Sequence, residues 1–344
     1  MFARITDNDV INAVKKCNLL SIYSFNKKML FHYTSFEALQ KILLSAPAKG
    51  KELCFRATRY DCFEDQTEFR YGIDRTRELM EEIEKVDFTE KYAWKEQHFI
   101  ARHFDSDIIL ANPNIPKPFV ISLTDSPRSR KMWRKYGCNG NGVVMGFDFD
   151  KRMMNAAGQS LARLDSCLYY TEKRREAIKR ELTDRYFECA KGTAPLGLGQ
   201  PEIWLKFIFA TILCSFCARL KDGKKYTKER ETRIILYIPG SEWGDTFARF
   251  AKATETGLTQ LYDILRGIFC RNQAVPETLE EMLRYMNDIG YNADTGKYYK
   301  ELYLSIETLK CLWVNKRDAQ TVQNLLQERG YRIPVGKVRT GLPW

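Results

Sequence analysis

Residues 29–43 read MLFHYTSFEALQKIL, and this stretch decides the fold class because its hydrophobic period changes in mid-course. Met29 to Tyr33 is an apolar run of strand length, whereas Ala38, Leu39, Ile42 and Leu43 recur at the spacing of a helical stripe. Between them, Thr34-Ser35-Phe36-Glu37 has the form of a capping box, in which Thr34 and Glu37 satisfy each other's backbone donors. A strand that passes at once into a capped helix sets His32 at a sheet edge, where ligands meet fixed polar groups.

The same alternation continues outward. Leu53 to Ala57 reads as a strand, and Asp74 to about Phe104 as an amphipathic outer helical layer that breaks near Asp87. Phe119 to Thr124 is a strand, Ser129 to Tyr136 a basic helix, Gly142 to Phe149 a strand and Leu168 to Tyr170 a short one. Helices at about 172–190 and 201–220 lead to Arg230–Ile238, a central strand ended by Pro239-Gly240. Leu309 to Val314 reads as a strand, Asp318 to Glu328 as a helix and Tyr331 to Val338 as a last strand. Strands and helices do not alternate regularly, so the expected class is α+β, a mixed, partly antiparallel sheet covered by helices. The expected organisation is a single large domain over 1–344, with a motif-bearing core at about 28–240, a mostly helical part at 241–308 and a closing strand-helix-strand at 309–338.

With 44% hydrophobic and 29% charged residues, the chain has ordinary globular composition, which excludes global disorder. Asp7, Asn8 and Asp9 interrupt the place where an export signal needs an apolar core, and a cytoplasmic location is expected. No membrane association is expected, because the longest apolar run, Phe207 to Ala218, falls well short of the roughly 20 residues that span a bilayer. Ten irregularly spaced cysteines suit a reducing compartment and free thiols. The net charge of +11 favours nucleic acid or another polyanion as a partner; oligomeric state is left open.

Several motifs are excluded. Gly140 to Gly146 enters a strand where a dinucleotide loop must enter a helix, and the P-loop, His-Glu-x-x-His and Gly-x-Ser-x-Gly patterns are missing from the sequence. Cys214 and Cys217 form one Cys-x-x-Cys with no second pair, which suits core packing. His98 and His103, five apart on a helix, cannot share a metal. What remains is His32, the acidic turn holding Asp61 and Glu64, and Glu229-x-Glu231-x-Arg233, which strand alternation places on one face. Basic clusters lie at Arg128–Tyr136, Lys173–Arg175 and Lys221–Arg230; Trp133 and Tyr136 share a helical face in the first and could stack on bases.

These pieces resemble a bacterial family, the domain of unknown function numbered twenty-nine seventy-one. The resemblance rests on His32-Tyr33-Thr34, on Tyr60-Asp61-Cys62-Phe63-Glu64, on Met132-Trp133 with Tyr136, on Gly142-Val143 to Gly146-Phe147-Asp148, and on Glu229, Glu231 and Arg233. The chain departs from the pattern at Tyr60 and Cys62, where the family has Asn and Pro. A strand histidine, a later aromatic residue and a Glu-x-Glu strand also resemble the His, Tyr and Glu constellation of ADP-ribosyltransferases, which implies an ADP-ribosyltransferase-like fold.

The second resemblance implies NAD as substrate, with no metal required, in an ADP-ribosyltransferase or NAD glycohydrolase of a bacterial antiviral defence or toxin system. Under it Glu231 stabilises an oxocarbenium-like ribose and Glu229 orients the acceptor. His32, Tyr33 and Thr34 hold the nucleotide, Trp133 or Tyr136 stacks on nicotinamide, and Arg56 or Arg233 meets phosphate. Two alternatives remain: a magnesium-dependent nuclease or phosphodiesterase using Asp61, Glu64, Glu229 and Glu231, and a non-catalytic nucleotide-sensing or nucleic-acid-binding module.

Overall fold

The computed structural model describes residues 29–44, 52–85, 101–102, 104–112, 115, 117–149, 162–197, 212–236 and 289–338. The opening stretch forms strand β1 (Leu30–Thr34) and helix α1 (Phe36–Leu44). Its cap differs from the expected box: Ser35 Oγ accepts from the Ala38 amide at 3.0 Å, while Glu37 pairs along the helix with Lys41. Thr34 remains in the strand, so Ser35 is the residue free to turn back on the first helical amides.

There follow β2 (Glu52–Arg59), α2 (Thr67–Ile83), α3 (Ser106–Ala111), β3 (Phe119–Thr124) and α4 (Arg130–Tyr136). Next are β4 (Val143–Phe147), β5 (Ala162–Ser166), β6 (Leu168–Tyr170), α5 (Arg175–Gly197) and β7 (Leu220–Asp222). After α6 (Gly223–Tyr226) and β8 (Glu231–Leu236) come β9 (Gly290–Asn292), β10 (Lys297–Ser305), β11 (Leu309–Asn315), α7 (Ala319–Glu328) and β12 (Val335–Val338). The largely helical reading of 241–308 is corrected at its end, because β9 and β10 form an antiparallel hairpin. The predicted break near Asp87, His98 and His103 lie outside the described residues, as does the first half of the helix expected at 201–220.

The architecture is α+β. A ten-stranded sheet runs β12-β11-β4-β1-β3-β2-β10-β9, with β8 joined to β3 and β5 to β8; β6 and β7 form a separate parallel pair. Among the described residues, only β11 and β12 pair in parallel within the large sheet. One sheet face is buried by Leu39, Ile42 and Leu43 of α1 and Val322 and Leu326 of α7. On the other, Met132 and Trp133 of α4 pack on Phe31, Tyr33 and Val144.

Strand β3 creates an opening. Along one edge it pairs with β8 at every residue from Phe119 to Thr124, but along the other it meets β2 only at Phe119 and Val120 and β1 only at Thr124. Strands β1 and β2 therefore diverge from β3 in front of residues 121–123. Their outer edges stay paired, β1 with β4 and β2 with β10, so the gap is held open by complete ladders on both sides.

Candidate functional site

The gap holds a cavity of about 920 Å³, large for a small-molecule site, lined by β1, β2, β3, α1 and the Glu229–Arg233 segment. His32, Thr34, Arg56, Tyr136, Glu229, Glu231 and Arg233 all contribute to its walls. Phe31, Thr124 and Glu231 stand side by side in register, so Glu231 and Arg233 share the Phe31 face, and His32 and Thr34 point to the other. They meet in one cavity because the opening joins the two faces.

His32 Nδ1 lies 2.9 Å from the Ser122 carbonyl, which β1 has stopped pairing. A carbonyl only accepts, so Nδ1 carries the proton and Nε2 offers a lone pair. Burial lowers the His32 pKa against the opposing pull of that hydrogen bond, which keeps the imidazole neutral at neutral pH.

Beside it lies a buried ionic cluster. Lys221 bonds Glu231 directly, reaches Glu229 at 3.0 Å and stands 3.4 Å from Glu68. Arg233 donates from Nε to Glu231 at 2.7 Å, from its terminal nitrogens to Ala218 O at 2.7 Å and Glu231 at 3.2 Å, and to Tyr60 and Glu68. Burial disfavours the charge on Glu231, yet Arg233 and Lys221 hold its carboxyl well below the usual range. Burial likewise opposes charge on Lys221 and Arg233, and the carboxylates of Glu231 and Glu68 reverse this in both.

Three sequence assignments change. Arg233 is corrected as a phosphate ligand: it is 1% exposed and its five N–H donors already have acceptors. Trp133 is corrected as a stacking platform: it is 2% exposed, meets Tyr33 edge-on at 5.5 Å, and donates from Nε1 to Pro127 O. Tyr33 lines the cavity, but its hydroxyl donates to Ser126 O and accepts from the Ser129 amide, so that group fixes the turn before α4 and is not free for a nucleotide.

Glu229 departs from simple alternation. It ends the 3₁₀ turn Thr227–Glu229, and Arg230, with φ of 46°, turns left-handed before β8 begins. The kink brings Glu229 to Lys221 from outside the strand. Its Oε2 meets Lys221, while Oε1 is buried without a hydrogen bond, 3.6 Å from Lys135 and 3.9 Å from Lys131. By contrast, both oxygens of Glu231 are held by Arg233 or Lys221.

Arg56 remains accessible over the Tyr299 ring, 3.8 Å from Glu301. Tyr136 is 38% exposed at the cavity wall, and burial raises its pKa, so its phenol stays protonated. Glu64 lines the cavity, but Asp61 bonds Arg59 at 2.7 Å and is not among the lining residues. Among the described residues no group of three or more His, Cys, Asp or Glu side chains is arranged to hold a metal ion; Lys221 occupies the space between the carboxylates. Among them, too, no helix is long and apolar enough to cross a membrane.

Sequence reasoning missed Glu68 and Lys221. Glu68 had a signal, since Glu68, Gly72, Thr76 and Leu79 form one helical stripe and all are buried. Lys221 was hidden in a basic run whose other lysines, Lys224, Lys225 and Lys228, are exposed.

A family model described as "Protein of unknown function (DUF2971)" matches residues 132–234, so the resemblance read from the motifs is found over this stretch. It spans α4 to β8 and contains Lys221, Glu229, Glu231 and Arg233; His32 and Arg56 lie outside it. No curated protein and no solved structure matches the chain.

Proposed function

We propose that this chain, with its family stretch forming one wall of the cavity, is an enzyme that cleaves the nicotinamide–ribose bond of NAD and passes ADP-ribose to an acceptor or to water. The observation that carries the reading is one cavity of nucleotide size holding a neutral imidazole, whose Nδ1 is bonded to Ser122 O, and a buried carboxyl with one oxygen that makes no hydrogen bond. Rupture of this bond builds positive charge on the ribose, and a desolvated carboxylate is the side chain suited to stabilise it.

The oxygen left without a hydrogen bond assigns that role to Glu229, with Glu231 acting behind it through Lys221. His32 Nε2 accepts a hydrogen bond from a ribose hydroxyl, with Thr34 beside it. Arg56 replaces Arg233 as the phosphate ligand, joined by Lys41 and Lys297 on the cavity wall.

The test is nicotinamide release from NAD by purified protein, with ligand binding followed by thermal shift. Glu229→Gln is expected to lower turnover by about 100-fold or more per folded molecule, with the folded fraction read from the melting transition. A wild-type chain that neither gains thermal stability from NAD nor releases nicotinamide overturns the reading. The saturation of Glu231 favours one second reading, a pocket that binds nucleotide without turnover; it predicts NAD binding with no nicotinamide released.

A further inference from the structure

Two exposed basic elements reach the cavity wall, one through Lys135 and Tyr136 and the other through Glu229. Helix α4 with the residues before it, Arg128 to Tyr136, carries five cations and no acid. The segment from Gly223 to Arg230 carries four more, and its one acid, Glu229, is buried. The structure brings the two together: Lys131 and Lys135 of α4 approach Glu229, and Thr124 Oγ1 at the end of β3 donates to the Glu229 carbonyl at 2.8 Å. Arg130, Arg134, Lys224 and Lys228 are exposed and have no acidic partner among the described residues. Between these cations and the cavity stands Tyr136, an exposed aromatic ring with the Lys135 ammonium 4.7 Å from its centre.

We propose that this rim docks single-stranded nucleic acid, and that the docked strand is the acceptor of the ADP-ribosyl group. The inference rests on the NAD reading of the cavity. Lys225 bonds Asp65 at 2.6 Å and Arg230 stands 3.8 Å from Asp125, and the cations left over on the two elements complement a continuous chain of phosphates, while the exposed ring offers the stacking surface that an unpaired base accepts and a paired one cannot reach. In the transfer, the ribose C1′–N bond breaks and its electron pair leaves with nicotinamide, which becomes neutral. A lone pair of the acceptor forms the new bond to C1′, and the acceptor's proton passes to solvent. The products are nicotinamide, ADP-ribosylated strand and one proton.

The experiment uses the full chain and fluorescent oligonucleotides of about 20 nucleotides, single-stranded and duplex, followed by anisotropy across a salt series, with NAD hydrolysis measured on the same preparation. Tighter binding to single strands is expected, and Arg130→Glu with Arg134→Glu should weaken it at least tenfold and flatten the salt slope by about 0.7 for each phosphate that is no longer neutralised. Arg329→Glu with Arg332→Glu, beyond the end of α7 on the other sheet face, is the charge-matched control and should change binding far less. Tyr136→Ala should weaken single-strand binding several-fold. With NAD present, the bound strand should gain the mass of ADP-ribose.

Equal weakening in both double variants, or equal affinity for duplex, overturns the docking surface. Nicotinamide release without binding or modification of the strand removes the acceptor and leaves the NAD reading intact. Strand binding without nicotinamide release keeps the surface and removes the transfer.

Discussion

Replacing Lys221 by Met isolates the buried cluster, because the side chain keeps its unbranched stem and loses its charge. Three carboxylates, Glu68, Glu229 and Glu231, face two cations, Lys221 and Arg233, in a region where every member is less than a tenth exposed. The substitution leaves Arg233 as the one internal counter-charge. Removing one partner from a buried ion pair costs about 3–5 kcal/mol, a large share of the roughly 5–15 kcal/mol that holds a domain folded.

The penalty should depend on pH. In the wild type Glu231 is held low, so its contribution is present above the ordinary carboxylate value of about 4.3 and is lost as pH falls through the folded value. In Lys221→Met one carboxylate loses its cation, its folded pKa rises, and the folded state takes up a proton that the unfolded state does not hold. Stability of the variant relative to wild type then improves as pH falls. Urea unfolding followed by tryptophan fluorescence should show a penalty of about 3–5 kcal/mol near pH 8 that shrinks toward pH 5. A penalty below about 1 kcal/mol, or one equal at both pH values, refutes a dry and mutually dependent cluster. Adding Glu229→Gln to the variant should recover part of the stability, since it removes an orphaned charge.

Three further outcomes follow from the same geometry. His32→Ala should weaken NAD binding while unfolding changes little, and because burial lowers the His32 pKa, wild-type activity should fall only on acidification below the ordinary histidine value of about 6.5. Trp133→Ala should destabilise by about 3–5 kcal/mol in urea unfolding, with NAD affinity of the folded fraction unchanged, since the ring packs against Tyr33 instead of a ligand. Gly72→Ala should cost about 1–3 kcal/mol by the same measurement, because a Cβ there would collide with the Cys217 carbonyl oxygen, where α2 passes the segment that leads into β7.

Much of the strand and helix order was legible locally. Phe119–Thr124 carries β-branched and apolar residues bounded by proline and a turn, and its limits are those of β3. The hairpin at 290–305 escaped because KYYKELYLS is rich in Tyr, Lys and Glu, and half-buried strand residues of that kind give little hydrophobic alternation. The pairing of Glu231 with Arg233 was legible because two residues apart in a strand is one face. That Trp133 packs against Tyr33 and away from the cavity was not, since which face of β1 receives α4 is a packing outcome.

The sequence by itself determined the class, the order of most elements and the residues rich enough in charge to matter, because these depend on periods of a few residues. Only the tertiary structure decided that β3 leaves β1 after one residue pair, that the gap becomes a cavity, and that Lys221, from the preceding strand, and Glu68, from far away in the chain, neutralise Glu231 and Arg233. Those interactions join segments up to 165 residues apart, and their free energy comes from removing several charges from water together, which no local window of sequence records.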